Sequence, residues 1–238
     1  MFEQWERRGR EASRLGRNAE AVDVWVRDGR GRSRVQIDSW STLERPPFTH
    51  PRFIDNSFPM FGFKEWTLIC AALGSGAQSL ILRKGGIAEG RAGFRFAHAE
   101  FLLFPTLFHE QVKKLRLPAD TPLPAPRADG QQEIRLSAHV EWTHDLTDWE
   151  KVRELAPFHI WQESEIEKRF RQDDTPMVSL AFVRVLALSE PHVFPDAARY
   201  GGCRSWIELP ELPAQVTQIP VLDEITHRER EAAIRALL

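Results

Sequence analysis

The stretch VSLAFVRVLAL at residues 178–188 constrains the fold most. Apolarity that is nearly unbroken over this length needs cover on both faces, so the stretch reads as a buried central strand. Upstream, Ile134, Leu136, Ala138, Val140 and Trp142 alternate with Glu133, Arg135, Ser137, His139 and Glu141. Period two with one apolar set marks a half-buried strand. AVDVWV (21–26) and RVQID (34–38) flank an Asp-Gly with a second glycine close behind, which is a hairpin signal. SLILRK (79–84), FRFAH (94–98), EFLLFP (100–105) and YGGCRSWIEL (200–209) supply further strands.

Helices are expected between them. Phe63, Trp66, Ile69, Cys70 and Leu73 recur at helical spacing, which predicts a helix over 62–73 ending at Gly74. A polar helix is expected at 2–15, and a short one near 107–116. Capping boxes at Thr147–Glu150 and Thr226–Glu229 open two more, and ESEIEKRF (163–170) is helical. The sum is an α+β protein with a mixed, mainly antiparallel sheet and flanking helices.

Composition shifts suggest the subdivisions. Residues 1–57 form an N-terminal extension with the hairpin and a Pro-rich linker. Residues 58–117 form a central α/β core. The Pro/Ala stretch 118–130 separates it from a C-terminal α+β half, 131–238, packed against it. Charge divides the same way. Residues 1–130 carry 20 Lys and Arg against 15 Asp and Glu, whereas residues 131–238 carry 12 against 19. The basic half can meet a polyanion that the acidic half would repel; the competing reading is that both are ordinary solvated surface. No apolar run reaches membrane-spanning length and no signal-peptide core follows the charged N-terminus, so a cytoplasmic protein without membrane contact is expected. Two cysteines, Cys70 and Cys203, exclude a disulfide framework and a Cys-x-x-Cys metal site.

Several residues can carry chemistry. Arg83-Lys84-Gly85-Gly86 joins two cations to a flexible backbone, a combination that can cradle phosphate, although neither a Walker loop nor a Rossmann fingerprint is present. The same residues also make an ordinary hairpin turn. His98, Glu100, His109 and His139, joined by Glu65 in a nuclease reading, offer imidazoles and carboxylates for a divalent metal or for acid–base work. The alternative is that the histidines are hydrogen-bonded structural groups. Eight tryptophans against one tyrosine is a skewed count. Trp206, with His159 and Trp161, suggests a groove for a stacked base; core packing is the competing role.

Five short motifs stand in order along the chain: KEW (64–66), RKGGI (83–87), FxxxH (94–98), FLLFPTxxH (101–109) and GGCRSWIEL (201–209). On these the chain resembles the family called domain of unknown function 1802, over roughly residues 58–210. The resemblance implies a prokaryotic protein associated with restriction or phage defence, with a restriction-endonuclease-type protein as partner, and it brings no catalytic residues. The leading expectation is therefore a recognition or accessory module for DNA or RNA. In it Arg83, Lys84, Gly85, Gly86 and Trp206 contact the nucleic acid, and His98 and His109 shape the site. The alternatives are a metal-dependent nuclease or phosphohydrolase using Glu65, His98, Glu100 and His109, and a non-catalytic protein adaptor that binds through its acidic half.

Overall fold

The structure is a computed structural model that describes residues 22–28, 31–37, 60–84, 94–125, 127 and 129–238. Two strands, β1 (Val22–Asp28) and β2 (Gly31–Ile37), form an antiparallel ribbon in the register Val24↔Val35, the hairpin expected from Asp-Gly. The remaining strands build one mixed sheet. They are β3 (Met60–Trp66), β4 (Leu80–Arg83), β5 (Glu100–Thr106), β6 (Gln131–Leu146), β7 (Val178–Pro195), β8 (Trp206–Leu209) and β9 (Gln218–Pro220). Their order is β4-β7-β6-β5-β3-β8, with β9 also paired to β7. Among the described residues only β3 and β5 run parallel, and every other pair of this sheet is antiparallel. The α+β reading of the sequence therefore holds. Strands from both sides of the Pro-rich stretch share this sheet.

The apolar run at 178–188 lies in β7, flanked by β6 on one side and by β4 and β9 on the other. Val178 to Val183 are all buried, as a central strand requires. β5 is covered on both faces as well. Phe101 and Leu103 enter the main core with Phe63, Ile69, Leu80 and Phe182. Leu102 and Phe104 enter a second core with Ile134, Phe194, Tyr200 and Ile207. Four consecutive apolar residues thus serve two layers, because side chains alternate across a strand.

The sheet is rolled. Three strands separate β4 from β3, so a flat sheet would hold them about 19 Å apart. Nevertheless an Arg83 Nη2 at the end of β4 donates to the Lys64 carbonyl of β3. That side chain can span the gap only if the sheet curls around the main core and brings β4 close to β3.

Among the described residues four helices complete the fold: α1 (Thr67–Gly74), α2 (Trp149–Glu154), α3 (Glu163–Phe170) and α4 (Glu224–Arg235). Several local expectations change. Residues 60–66 form a strand, and helix begins only at Thr67. The strand period is masked in the sequence because Glu65 is buried: Phe63 and Glu65 are the inward pair of a strand, but a carboxylate does not count as apolar. Residues 94–98 join no ladder, and the helix expected near 107–116 shrinks to a 3-10 turn at Gln111–Lys114. Both capping boxes shift. Asp148 caps α2 by accepting from the Glu150 N–H, and Asp223 caps α4 by accepting from the Thr226 N–H. The helix expected at 2–15 lies outside the described residues.

Candidate nucleic-acid interface

β3 and β5 end side by side, with Glu65 opposite Pro105 and Trp66 opposite Thr106. The roll of the sheet adds the end of β4. Three of the sequence motifs therefore meet at one place: Lys64-Glu65-Trp66, Arg83-Lys84, and Pro105-Thr106 with the segment after it. Ligands of parallel strands commonly sit beyond such carboxyl ends.

Glu65 is the centre of this place. Its side chain is 1% exposed. Oε2 lies 3.3 Å from the Arg83 guanidinium, and Oε1 accepts the Trp66 N–H at 2.8 Å. The Thr106 hydroxyl donates to the Glu65 carbonyl at 3.0 Å, and the Thr67 hydroxyl donates to the Thr106 carbonyl at 3.0 Å, stitching the strand ends together. No residue of α1's own entry caps its first turn. Gln111 does so instead: its Oε1 accepts the Leu68 N–H at 3.0 Å while Nε2 donates to the Phe108 carbonyl. Cys70 is buried behind, and burial together with the Glu65 charge pushes its thiol pKa well up, so it stays protonated.

Arg169, from the last turn of α3, covers the site. Its guanidinium carbon lies 3.8 Å from the centre of the Trp161 ring and 5.3 Å from that of Trp66, while the two tryptophans pack 4.6 Å apart. Burial, with the nearby Arg83, lowers its pKa to about 10, so it remains charged at neutral pH. Among the described residues no acceptor takes a hydrogen bond from the Arg169 side chain. The Arg83 Nε is likewise buried without a partner. Arg83 pairs with Glu65, while Arg169 feels the charges of both Glu65 and Glu165 without an ion-pair contact among the described residues and with its N–H donors unused. Arg169 was not visible as a functional residue in the sequence. The signal was its position three after Ile166 and one before Phe170, on the buried stripe of α3.

The other expected residues scatter around this centre. Arg83 also stacks its guanidinium carbon 4.7 Å from the centre of Phe63. Lys84 reaches across to the Asp173 carboxylate at 2.8 Å and the Thr175 carbonyl at 2.6 Å. Gly85 and Gly86 lie outside the described residues. His98 stacks on Phe61 at 3.6 Å, with the edge of Trp206 4.9 Å away, and burial lowers its pKa. Trp206 is half-buried on Phe63 and Phe101, whereas Trp161 and His159 are buried, Trp161 against Trp66 and under Arg169. Glu100 is exposed and pairs across the ladder with His139, at 3.3 Å. His109 is exposed beyond β5. Glu65, His98, Glu100 and His109 thus have separate partners, and among the described residues no three His, Cys, Asp or Glu side chains are arranged to hold a metal ion. Among the same residues no helix is long and apolar enough to cross a membrane.

None of the curated proteins matches the chain. Among solved structures it is similar to an ASCH protein from Zymomonas mobilis, with a TM-score of 0.39 and 12% identity over 64% of this chain and 88% of that one. Two single-substitution variants of the same protein give 0.39 and 0.40. Overlap of that extent defines neither fold nor function here. The sequence profile described as Domain of unknown function (DUF1802) matches residues 62–233, which contain the whole Glu65–Arg83–Arg169 cluster and most of the sheet. The chain belongs to the DUF1802 family.

Proposed function

We propose that this protein is a nucleic-acid recognition module and that its binding face is the end of β3, β4 and β5 under Arg169. The observation that carries this reading is the Arg169 guanidinium, stacked on Trp161 and Trp66 with its hydrogen-bond donors unused. Arginine in that setting recognises phosphate through a planar fork of donors, and the partly buried Trp66 ring beside it suits a stacked base, with Trp161 buried beneath. Arg83 adds a second guanidinium charge to the same place, its Nε buried and without a partner. In this reading Lys84, Gly85 and Gly86 extend the backbone-contacting edge, and Trp206, His98 and His109 lie along its approach. A restriction or phage-defence setting, with a restriction-endonuclease-type partner, is part of the same proposal and is supported by the family resemblance alone.

The test is direct binding of labelled single- and double-stranded DNA and RNA at several salt concentrations, with cleavage followed in the same samples. Binding that weakens with salt and weakens again in Arg169→Gln supports the module. Binding that Arg169→Gln leaves untouched moves the interface elsewhere. Cleavage would turn the module into an enzyme. Failure to bind any of the four nucleic acids overturns the reading.

A further inference from the structure

Adjacent residues of a strand point to opposite faces, so Lys64 looks away from Glu65 and the Arg169 cluster. It looks into a cleft of about 530 Å³, whose walls include Lys64, Thr67, Phe104, Arg135, Ala197 and Tyr200. That volume lies within the range of small-molecule sites. We propose that this cleft binds a small organic anion with an aromatic or apolar body, its anionic group held by the Lys64 ammonium.

Charge bookkeeping around Lys64 supports this. Its Nζ donates to the Tyr200 carbonyl at 2.7 Å and to the Gly202 carbonyl at 2.8 Å. Both acceptors are neutral, and an ammonium has three donors. Among the described residues no carboxylate lies within ion-pair distance of Lys64. Burial, with Arg204 nearby, already disfavours its charged form and lowers its pKa, with the Cys203 thiol opposing. A cation in that position gains most from an anionic ligand. The wall carries other charges as well, and the Asp196 carboxylate among them keeps its charge. Arg127 and Arg135 share Glu133 at 2.5 Å each, and the Asp196 carboxylate accepts the Ala197 N–H at 2.9 Å. Phe104 and Tyr200, with ring centres 5.9 Å apart, supply the apolar wall.

The fluorescent probe 8-anilinonaphthalene-1-sulfonate, an aromatic anion, tests the site against the uncharged N-phenyl-1-naphthylamine. The full chain should bind the sulfonate at one saturable site and the neutral probe at least tenfold more weakly. Lys64→Met should weaken the sulfonate about tenfold or more, the loss of one hydrogen bond to a charged group, and leave the neutral probe unchanged. Ala197→Trp, placed at an exposed wall position, should block the cleft without touching the core. Displacement of the sulfonate by uridine 5′-monophosphate would identify a phosphate-bearing ligand class, and displacement by indole-3-acetate a carboxylate-bearing one. Equal binding of the charged and neutral probes by the unmodified protein overturns the proposal whatever the variants do. So does displacement by neither anion, or sulfonate binding that survives Ala197→Trp. Because this cleft faces away from Arg169, loss of nucleic-acid binding in Arg169→Gln leaves these outcomes intact.

Discussion

Glu65 and Arg83 form an ion pair at 3.3 Å between β3 and the edge strand β4 of the rolled sheet, although three strands lie between them in the ladder. The pair locks the curl and also sets the charge of the interface. Glu65→Gln keeps the acceptor for the Trp66 N–H but leaves Arg83 without a counter-charge. Breaking a buried pair costs about 3 kcal/mol. The variant should therefore unfold at lower urea. It should also bind a polyanion more tightly at low salt, since the net charge of the site rises by one. A variant that is less stable without gaining affinity would confine Glu65 to a structural role.

Arg169→Gln should reduce nucleic-acid affinity and flatten its salt dependence. Removal of one phosphate contact lowers the slope of log K against log salt by roughly 0.9 for duplex DNA or 0.7 for a single strand. Titrations at four salt concentrations measure the slope, and circular dichroism confirms the fold. An unchanged slope would show that Arg169 meets no phosphate.

Gln111 is fully buried and caps α1 from outside its own sequence neighbourhood. Gln111→Met keeps the volume and removes both hydrogen bonds, stranding the Leu68 N–H. The expected loss is about 2 kcal/mol, read as a lower urea midpoint with an unchanged m-value.

His159 is buried, and its Nδ1 accepts the Trp161 N–H at 3.1 Å. Burial, with Arg116 adding to it, drops its pKa from 6.5 to about 3. The unfolded chain therefore binds a proton below about pH 6.5 that the folded chain refuses until about pH 3. Stability from this residue is complete above pH 6.5 and declines as pH falls, by about 1.4 kcal/mol per pH unit within that window. His98, His192 and His227 shift in the same direction, so the measurement must be a difference. Asn at position 159 can still accept from Trp161 but does not titrate. His159→Asn should show a shallower loss of stability between pH 6 and pH 4 than the unmodified chain. Parallel curves would mean that the imidazole is protonated in the folded state.

The elements that the sequence announced plainly were those whose side-chain period had a single meaning. α3 occupies the expected residues 163–170, and the apolar run at 178–188 lies within β7. β3 was hidden because its inward residues are one aromatic and one acid, and because Phe63, Trp66, Ile69 and Leu73 fit a helix equally well. The site was half visible. Glu65 and Arg83 both stood out, one as a metal ligand and the other as a phosphate contact, yet the structure pairs them. Nothing in local sequence reveals a partner brought near by the curl of a sheet. Arg169 escaped notice for the same reason: the rings that hold it belong to β3 and to the segment before α3.

Lys64 and Glu65 share one peptide group, and Arg83 donates to its carbonyl. A ligand on the Lys64 side and a polyanion on the Glu65 side would therefore press on the same few atoms from opposite directions. Whatever factor the small anion applies to the affinity for nucleic acid, the nucleic acid must return to the anion in full. A strand one residue thick would then serve as a reciprocal gauge between two binding events, with no moving domain needed to connect them.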